Sequence, residues 1–285
     1  MNEHRYQHLQ MILERLKLTR VSERLDQLAE EAAKESWTYV EFLDRVLDVE
    51  VSARVERDVA MKTRLARFPF VKTLEQFDFS FQPALNEAQI RELATARFVA
   101  HGENILLLGP PGVGKTHLAV SLGLAAIMQG ISVVFCTVAD LIDLVQQDVK
   151  EDRLDRRLHA LCTPKLLILD EMGYVPLDQC SAQFLFRLIS RRYQKGSIIL
   201  TSNKSYGEWG DVVSDYVLAT AMLDRLLHYS TTINIRGESY RLREKRKAGV
   251  FHDLAAKPVK GSLSPSQKTQ EKGQDESKSE YEDLS

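Results

Sequence analysis

A glycine-rich stretch in the middle of the chain constrains its fold more than any other feature. Residues 109–116 read Gly-Pro-Pro-Gly-Val-Gly-Lys-Thr, which satisfies the pattern Gly-x-x-x-x-Gly-Lys-Thr in full. An apolar run at residues 104–108 precedes this stretch, and a helical pattern of Leu118, Leu122, Ala125 and Ala126 follows it. A strand that leads through such a loop into a helix is the context in which this pattern binds phosphate. The sequence therefore predicts an α/β fold with a nucleotide site at the end of a buried strand.

The residue types of this loop suit a nucleoside triphosphate with Mg²⁺. Glycines let backbone N–H groups approach the phosphates, and the N-terminus of the next helix adds a favourable dipole. Lys115 is expected to reach the β- and γ-phosphates, and the Thr116 hydroxyl is expected to bind Mg²⁺. ATP and Mg²⁺ are therefore the predicted cofactors. The predicted nucleotide-binding residues are Gly109, Pro110, Pro111, Gly112, Val113, Gly114, Lys115, Thr116 and the adjacent His117.

Composition excludes several other classes of protein. The chain has 285 residues and a formal net charge of −2, so its overall charge does not indicate a nucleic acid partner. The three cysteines lie far apart without a zinc-binding spacing, which favours small core residues in a reducing compartment. No apolar run reaches the roughly 18 residues that indicate a membrane span, and the first residues do not resemble a secretory signal. A cytoplasmic protein with no membrane partner is expected.

The residue composition and the predicted secondary-structure pattern change twice along the chain. Residues 1–70 contain no glycine and show three amphipathic helical patterns, which predict a small helical domain or an arm that packs on a partner. Residues 71–251 alternate between short apolar strands and helices, and residues 252–285 are polar enough to predict a disordered tail. The predicted apolar faces in the first region are Leu9, Ile12, Leu13 and Leu16; then Leu25, Leu28, Ala29 and Ala32; then Val40, Leu43, Leu47 and Val51.

The alternation in the middle region predicts a parallel sheet with helices on both faces, which is a three-layer αβα core. The five expected strands are residues 105–108, 132–136, 166–169, 198–201 and 231–235. In such sheets the ligand binds at the carboxyl ends of the strands, which is where the phosphate loop begins.

A pair of acids indicates nucleotide hydrolysis. Residues 166–171 read Leu-Leu-Ile-Leu-Asp-Glu, as in a Walker B element. Asp170 would hold Mg²⁺ directly or through water, and Glu171 would orient and polarise the attacking water. The alternative is a buried strand that ends in two solvated acids, and the complete phosphate loop weighs against it.

Two further side chains are candidates for contact with the γ-phosphate. Asn203 follows the next strand, where a polar side chain can contact the γ-phosphate or the attacking water; the alternative is a turn asparagine. Arg225 lies near the end of a later helix, from which an arginine can reach the nucleotide of a neighbouring subunit. The alternative for Arg225 is an ion pair with Asp224 or Glu208. The predicted catalytic residues are Lys115, Glu171, Asn203 and Arg225.

These elements, in this order, resemble the AAA+ ATPases and, within them, the DnaA/DnaC-like initiator and helicase-loader clade. The chain more closely resembles the IstB-like proteins, which are ATP-binding transposition helpers of insertion sequences. The resemblance covers roughly residues 5–250 and rests on stretches 42–50, 72–79, 109–116, 166–174, 201–203, 224–226 and 235–241. Its most specific parts are the Phe-Asp-Phe stretch that ends at residue 79 and Ile-Arg-Gly-Glu-Ser-Tyr-Arg at 235–241.

The resemblance implies ATP-dependent, largely sequence-non-specific DNA binding in support of a transposase encoded by the same element. It also implies homo-oligomers that assemble on DNA and a role in target-site selection. It places Phe77 and Phe79 where a linker approaches the adenine, although core packing is an equal alternative. Whether Arg241 or Arg243 acts as a second sensor stays open.

Basic residues that could bind DNA cluster in three places. The first cluster follows the helix after the second strand, where the resemblance implies an inserted helix that faces DNA, although acids interleave it. The second lies on the helix after the Walker B strand, and the third follows the last strand. Because the sequence shows no base-reading motif, phosphate contacts to duplex DNA with strong salt dependence are expected. The predicted DNA-binding residues are Arg153, Arg156, Arg157, Arg187, Arg191, Arg192, Arg241, Arg243, Lys245 and Arg246.

Several functions are compatible with these residues. The leading hypothesis is an ATP-regulated factor that assembles on DNA and assists a transposase. A replicative-helicase loader would share the ATPase core and differ mainly in the N-terminal region. A small-molecule kinase would use the phosphate loop alone and does not explain Glu171, Asn203 and Arg225 together. A scaffold that binds ATP without hydrolysing it is the remaining alternative.

Overall fold

A five-stranded parallel sheet organises the computed structural model, which describes residues 3–240 and Arg243. The strands are β1 (Asn104–Leu108), β2 (Val133–Thr137), β3 (Leu166–Met172), β4 (Ser197–Ser202) and β5 (Ser230–Asn234). The helices are α1 (Glu3–Arg15), α2 (Thr19–Glu35), α3 (Tyr39–Ala66), α4 (Glu87–Leu93), α5 (Arg97–Ala100), α6 (Lys115–Met128), α7 (Val138–Lys150), α8 (Leu154–Cys162), α9 (Gln179–Arg192), α10 (Trp209–Val213) and α11 (Tyr216–His228). Single 3-10 turns lie at Leu74–Gln76, Phe79–Phe81 and Tyr206–Glu208.

The strand order is β2-β3-β4-β1-β5, and every neighbouring pair is parallel. Alternate residues of β3 enter different cores, since Ile168 packs in the cluster that contains α6 and Leu167 packs in the cluster that contains α7, α9 and α11. Helices therefore cover both faces of the sheet, and the predicted three-layer αβα fold is confirmed. β1 lies between β4 and β5, so the phosphate loop leaves the sheet from an interior strand.

The N-terminal helices form a small core of their own from Leu13, Val21, Leu25, Leu28 and Val46. A buried carboxylate joins two of these helices. Glu50 of α3 accepts a hydrogen bond from the backbone N–H of Arg20 in the first turn of α2 at 2.9 Å. Arg54 and Arg57 donate to the other oxygen of Glu50 at 3.0 and 3.2 Å. Glu50 thus satisfies a free N–H at a helix start whose N-cap residue, Leu18, has no side-chain acceptor.

The predicted apolar face of α3 is wrong, because Val40, Leu43, Leu47 and Val51 are all exposed. The helix instead turns Val46 and Glu50 toward its neighbours, and its last residue, Ala66, is fully buried in the core that α6 shares. The side chain of Lys62 also donates to the carbonyl of Gly130 at 2.7 Å, which ties α3 to the end of α6.

The described residues belong to one compact unit, Met1–Glu244. The predicted domain boundary at residue 70 falls inside this unit and stays a prediction, and the predicted tail at 252–285 lies outside the described residues. The expectation that all cysteines are core residues is wrong for Cys180, which is exposed on α9, whereas Cys136 is buried.

Candidate nucleotide-binding site

The phosphate loop is shaped by glycines at its centre and just before α6. Gly112 and Gly114 have φ angles of 81° and 101°, in the left-handed region that other residues rarely adopt. A Cβ atom at Gly112 would lie 2.0 Å from the hydroxyl of Ser239, and one at Gly114 would lie 2.7 Å from the Phe77 ring. Only glycine fits between these neighbours, so the loop backbone is held in the conformation that a phosphate cradle needs.

Lys115 is the first residue of α6, and its side chain folds back over the loop. Its ammonium donates to the carbonyls of Gly109 and Pro110 at 2.6 and 2.8 Å. The residue is 6% exposed, so the charge sits in a shielded position at a helix N-terminus. Such a placement favours an anion in the loop.

Thr116 and Asp170, the two predicted Mg²⁺ ligands, lie within hydrogen-bond distance of each other. The Thr116 hydroxyl donates to the two carboxylate oxygens of Asp170 at 3.1 and 3.0 Å. Burial raises the pKa of Asp170, and hydrogen bonds from Thr201 and Thr116 oppose this effect. A hydroxyl and a carboxylate are hard oxygen donors, so this pair fits a Mg²⁺ ion that keeps most of its other ligands from water and phosphate.

Glu171 is exposed beside the buried Asp170, and its φ of 65° lies in the left-handed region. Its backbone N–H donates to the side-chain hydroxyl of Thr201 at 2.9 Å, and that hydroxyl donates to Asp170 at 2.5 Å. Thr201 is a site residue that the sequence reasoning missed. The signal for it is a hydroxyl residue directly after the apolar run at 198–200, two positions before Asn203.

Asn203 follows the end of β4 at the same edge of the sheet. Its amide oxygen is buried and has no hydrogen-bond partner among the described residues. A buried acceptor without a partner is costly, so the side chain fits a group that arrives with the nucleotide better than a turn that satisfies itself.

Arg225 lies in the last turn of α11, next to a residue that is anchored at the start of β1. Asn104, the first residue of β1, donates through its side chain to the carbonyl of Leu226 at 3.0 Å, which fixes this end of α11 at the start of the strand. The phosphate loop begins after Leu108, and four steps of about 3.3 Å place it roughly 13 Å away along β1. The backbone beside Arg225 is therefore near the start of β1, whereas the loop leaves from the other end of that strand.

The local contacts of Arg225 are within its helix and with an aromatic ring. Its guanidinium lies 4.7 Å from the ring centre of Phe186 and donates to the carbonyl of Ala221 at 2.9 Å. Among the ion pairs of residues 3–240, none joins Arg225 to Asp224 or Glu208, and Glu208 instead pairs with Lys204 at 2.9 Å. The ion-pair alternative for Arg225 is thus unsupported.

The aromatic residues before the sheet lie against the phosphate loop. Phe77 packs against Phe79 and His117 with ring centres 4.9 and 5.2 Å apart. Burial lowers the pKa of His117, whose ring also contacts the carbonyl of Thr73 at 3.2 Å. Phe77 is 9% exposed and belongs to the main core, so both the packing and the adenine roles stay compatible with its position.

The predicted DNA-binding arginines fall into different environments. Three of them pair with acids: Arg153 with Glu151, Arg157 with Asp148 and Arg187 with Asp155, at 2.6, 2.6 and 2.7 Å. Arg156, Arg191 and Arg243 are exposed, and Arg243 lies 5.1 Å from the ring centre of Phe81. Arg241, Lys245 and Arg246 lie outside the described residues.

The prediction that Arg192 binds DNA is wrong. Arg192 is 1% exposed, and its guanidinium donates to backbone carbonyls at the end of α8 and the start of β4. The side chain therefore has no free surface for a DNA phosphate, and Arg192 is withdrawn from the predicted DNA-binding set.

Two kinds of feature are absent from the described residues. None of their helices is long and apolar enough to span a membrane. Over the same part of the chain, no cluster of three or more His, Cys, Asp or Glu side chains could hold a metal ion.

Comparison with known proteins identifies the family. Residues 11–248 match the family described as IstB-like ATP binding protein. The chain is 52% identical over 243 residues to the insertion sequence IS21 ATP-binding protein of Pseudomonas aeruginosa, a match that covers 85% of this chain and 92% of that protein. It is 50% identical over 232 residues to the insertion sequence IS5376 ATP-binding protein of Geobacillus stearothermophilus, covering 81% and 92% of the two chains.

A solved structure supports the fold alone. The crystal structure of DnaI aligns with a TM-score of 0.50 at 19% identity, covering 61% of this chain and 93% of that one. The phosphate loop, the Walker B pair and the extended sequence match agree with one another, and the chain belongs to the IstB-like ATP-binding protein family.

Proposed function

We propose that this protein is an ATP-dependent DNA-binding AAA+ ATPase that assembles on DNA, largely without sequence preference, and assists the transposase of its insertion sequence. The observation that carries the proposal is the hydrogen bond that holds the end of α11, beside Arg225, at the start of β1, whereas the loop leaves from the other end of that strand. The residues that hold phosphate, bind the metal and orient the water lie at one edge of the sheet, and the helix end that carries the arginine lies toward the other. The proposed site is complete only when two subunits meet.

Within one subunit, the residues of the nucleotide site have separate roles in hydrolysis. Lys115 and the loop N–H groups hold the phosphates, and Thr116 and Asp170 would hold Mg²⁺, which when bound neutralises charge on the phosphate oxygens. Glu171 orients the water and accepts its proton, and Asn203 supplies an amide at the γ-phosphate position. Each of these side chains sits at the carboxyl edge of the sheet or in the loop that follows it.

The neighbouring subunit supplies Arg225. The stacking of its guanidinium on Phe186 leaves the remaining N–H groups available to an incoming phosphate. Because an arginine of this kind contributes about 10³–10⁵-fold to turnover in other phosphoryl-transfer enzymes, its loss should nearly abolish hydrolysis.

A mixing experiment tests this arrangement. Lys115→Ala cannot bind ATP productively, and Arg225→Ala cannot complete a neighbour's site, so each variant alone should be inactive. Mixed together, the first supplies the arginine and the second supplies the nucleotide, and ATPase activity should return in part. If the mixture stays as inactive as its components, Arg225 does not act across a subunit interface.

A second experiment tests the role of Glu171 and the link to DNA. Glu171→Gln should bind ATP and DNA normally, hydrolyse ATP at a small fraction of the wild-type rate and remain assembled on DNA, as seen by electron microscopy. Turnover at the wild-type rate would contradict the assignment of Glu171. DNA affinity should fall steeply with salt, with a slope of about −0.9 per phosphate contacted, and tight binding to one sequence only would contradict the non-specific mode.

The choice of partner rests on the relatives, which are named as ATP-binding proteins of insertion sequences. Pull-down with the transposase encoded beside this protein should succeed in the presence of ATP and DNA. Retention of a replicative helicase instead would favour the helicase-loader alternative.

A further inference from the structure

The two Walker B acids lie where β3 and β4 fall out of register. Leu169 pairs with Leu200, and the next pair is Met172 with Ser202, so β3 has one more residue in this interval than β4. Asp170 and Glu171 therefore face the single residue Thr201. An extra residue on one strand is a β-bulge, which breaks the hydrogen-bond ladder and changes the direction of the side chains there.

The Thr201 side chain supplies a hydrogen bond between the two strands at the bulge. Within the bulge the backbone N–H of Glu171 donates to the Thr201 hydroxyl at 2.9 Å rather than to a backbone carbonyl of β4. The same hydroxyl donates its proton to Asp170 at 2.5 Å. A threonine hydroxyl has one donor and two acceptor positions, so one oxygen can make both bonds at once.

We propose that Thr201 is the positioning residue for both acids of the site. It holds the carboxylate of Asp170 toward Thr116 and fixes the backbone of Glu171 in the left-handed conformation that presents its side chain to solvent. That conformation is unfavourable for a residue other than glycine, so it persists only where surrounding bonds maintain it. Thr201 is itself fully buried, and its hydroxyl bonds to Asp170 and to the backbone of Glu171.

Matched substitutions separate this role from a purely structural one. Thr201→Val keeps the β-branched shape and removes the hydroxyl, whereas Thr201→Ser keeps the hydroxyl and removes a methyl group. ATP affinity is measured with a fluorescent ATP analogue, once with Mg²⁺ and once with EDTA. Because partners of metal ligands typically contribute 10–100-fold, Thr201→Val should lose about that much of the Mg²⁺-dependent gain in affinity and keep the affinity in EDTA. Thr201→Ser should keep most of the gain.

A double-mutant cycle adds a readout that a packing defect would not reproduce. In an Asp170→Asn background the Mg²⁺-dependent gain should already be lost, and adding Thr201→Val should change it no further. The proposal is overturned if Thr201→Val retains the full Mg²⁺ gain, if it weakens binding equally in EDTA, or if Thr201→Ser is as defective. If Thr201→Val does not fold, Thr201→Ala and Thr201→Ser are compared in the same assay with the same criteria.

This inference rests on the proposed function, but the two can fail separately. The assay measures binding and not turnover. Absence of phosphate release from the wild-type protein, with and without DNA, would refute the proposed hydrolysis while the Mg²⁺-dependent affinities still decide the role of Thr201.

Discussion

Replacement of two neighbouring arginines at the end of α9 should affect different properties. Loss of Arg192 should lower the stability of the fold, and loss of Arg191 should leave stability unchanged. Arg191 is exposed, whereas Arg192 is fully buried. The guanidinium of Arg192 donates to the carbonyls of Leu161, Pro164, Lys165 and Ser197 at 2.8, 2.9, 3.0 and 2.8 Å. Burial lowers its pKa to about 10, so the side chain stays charged at neutral pH. It joins the end of α8 to the start of β4.

The size of the effect follows from these bonds. The carbonyl of Lys165 also accepts a hydrogen bond from the backbone N–H of Ser197 at 3.0 Å, and this bond remains in Arg192→Met. The other three carbonyls lose a charged donor, and at about 1 kcal/mol or more for each, Arg192→Met should cost roughly 3 kcal/mol of unfolding free energy. For a chain of this size that corresponds to a melting temperature lower by about 6–12 °C.

The assay is thermal and urea unfolding of Arg192→Met beside Arg191→Met, with DNA affinity measured at several salt concentrations. Arg191→Met should leave stability within about 0.5 kcal/mol of wild type, as surface substitutions do. If Arg191 contacts a phosphate, that variant should also lose about one unit of the salt slope. The reasoning is refuted if Arg192→Met has the melting temperature of the wild type and binds DNA more weakly. That result would require the guanidinium of Arg192 to be exposed.

Two carboxylates give further predictions. Because burial raises the pKa of Asp170, the contribution of this acid to folding stability is lost as pH rises from about 4, where an unfolded aspartate ionises, through its higher folded-state pKa. Without nucleotide and metal, Asp170→Asn should therefore gain stability relative to wild type between pH 4 and pH 7, as followed by urea unfolding, and an equal effect at both pH values would contradict the burial argument. Glu50→Gln should lower the unfolding free energy by about 1–3 kcal/mol, because the carboxylate that joins α2 and α3 loses its charge-assisted bonds to Arg54 and Arg57. Glu30→Gln on the exposed face of α2 is the matched control and should have little effect.

Four strands can be predicted from the sequence because β1, β2, β3 and β4 each contain a continuous run of at least three apolar residues, whereas β5 has only Ile233. β1 and β3 were predicted to within a few residues, and the phosphate loop followed from a pattern that few other structures satisfy. These features depend on local sequence, which is why no knowledge of tertiary contacts was needed to find them.

The features that sequence reasoning missed depend on partners distant in the chain. The exposed face of α3 carries as good an apolar periodicity as its buried face, and only packing against α2 and α6 distinguishes the two. Arg192 had a usable signal, because it continues the spacing of Leu185, Leu188 and Ile189 on the buried face of α9. The basic residues around it favoured the DNA interpretation. The sequence signal for Thr201 does not show which groups its hydroxyl bonds, because the bulge is a property of two strands together.

Sheet geometry links assembly to hydrolysis under the proposed function. Asn104 holds the end of α11 at the start of β1, and the loop leaves from the other end of that buried strand. The proposed function therefore assigns Arg225 to the site of a neighbouring subunit. Two such subunits must therefore be apposed with the start of one sheet near the carboxyl edge of the other. That contact is heterologous, so it repeats from subunit to subunit as a ring or a helical filament. A substrate such as DNA that runs past successive subunits can stabilise the repeat, and ATPase activity would then report directly on the length of the assembly.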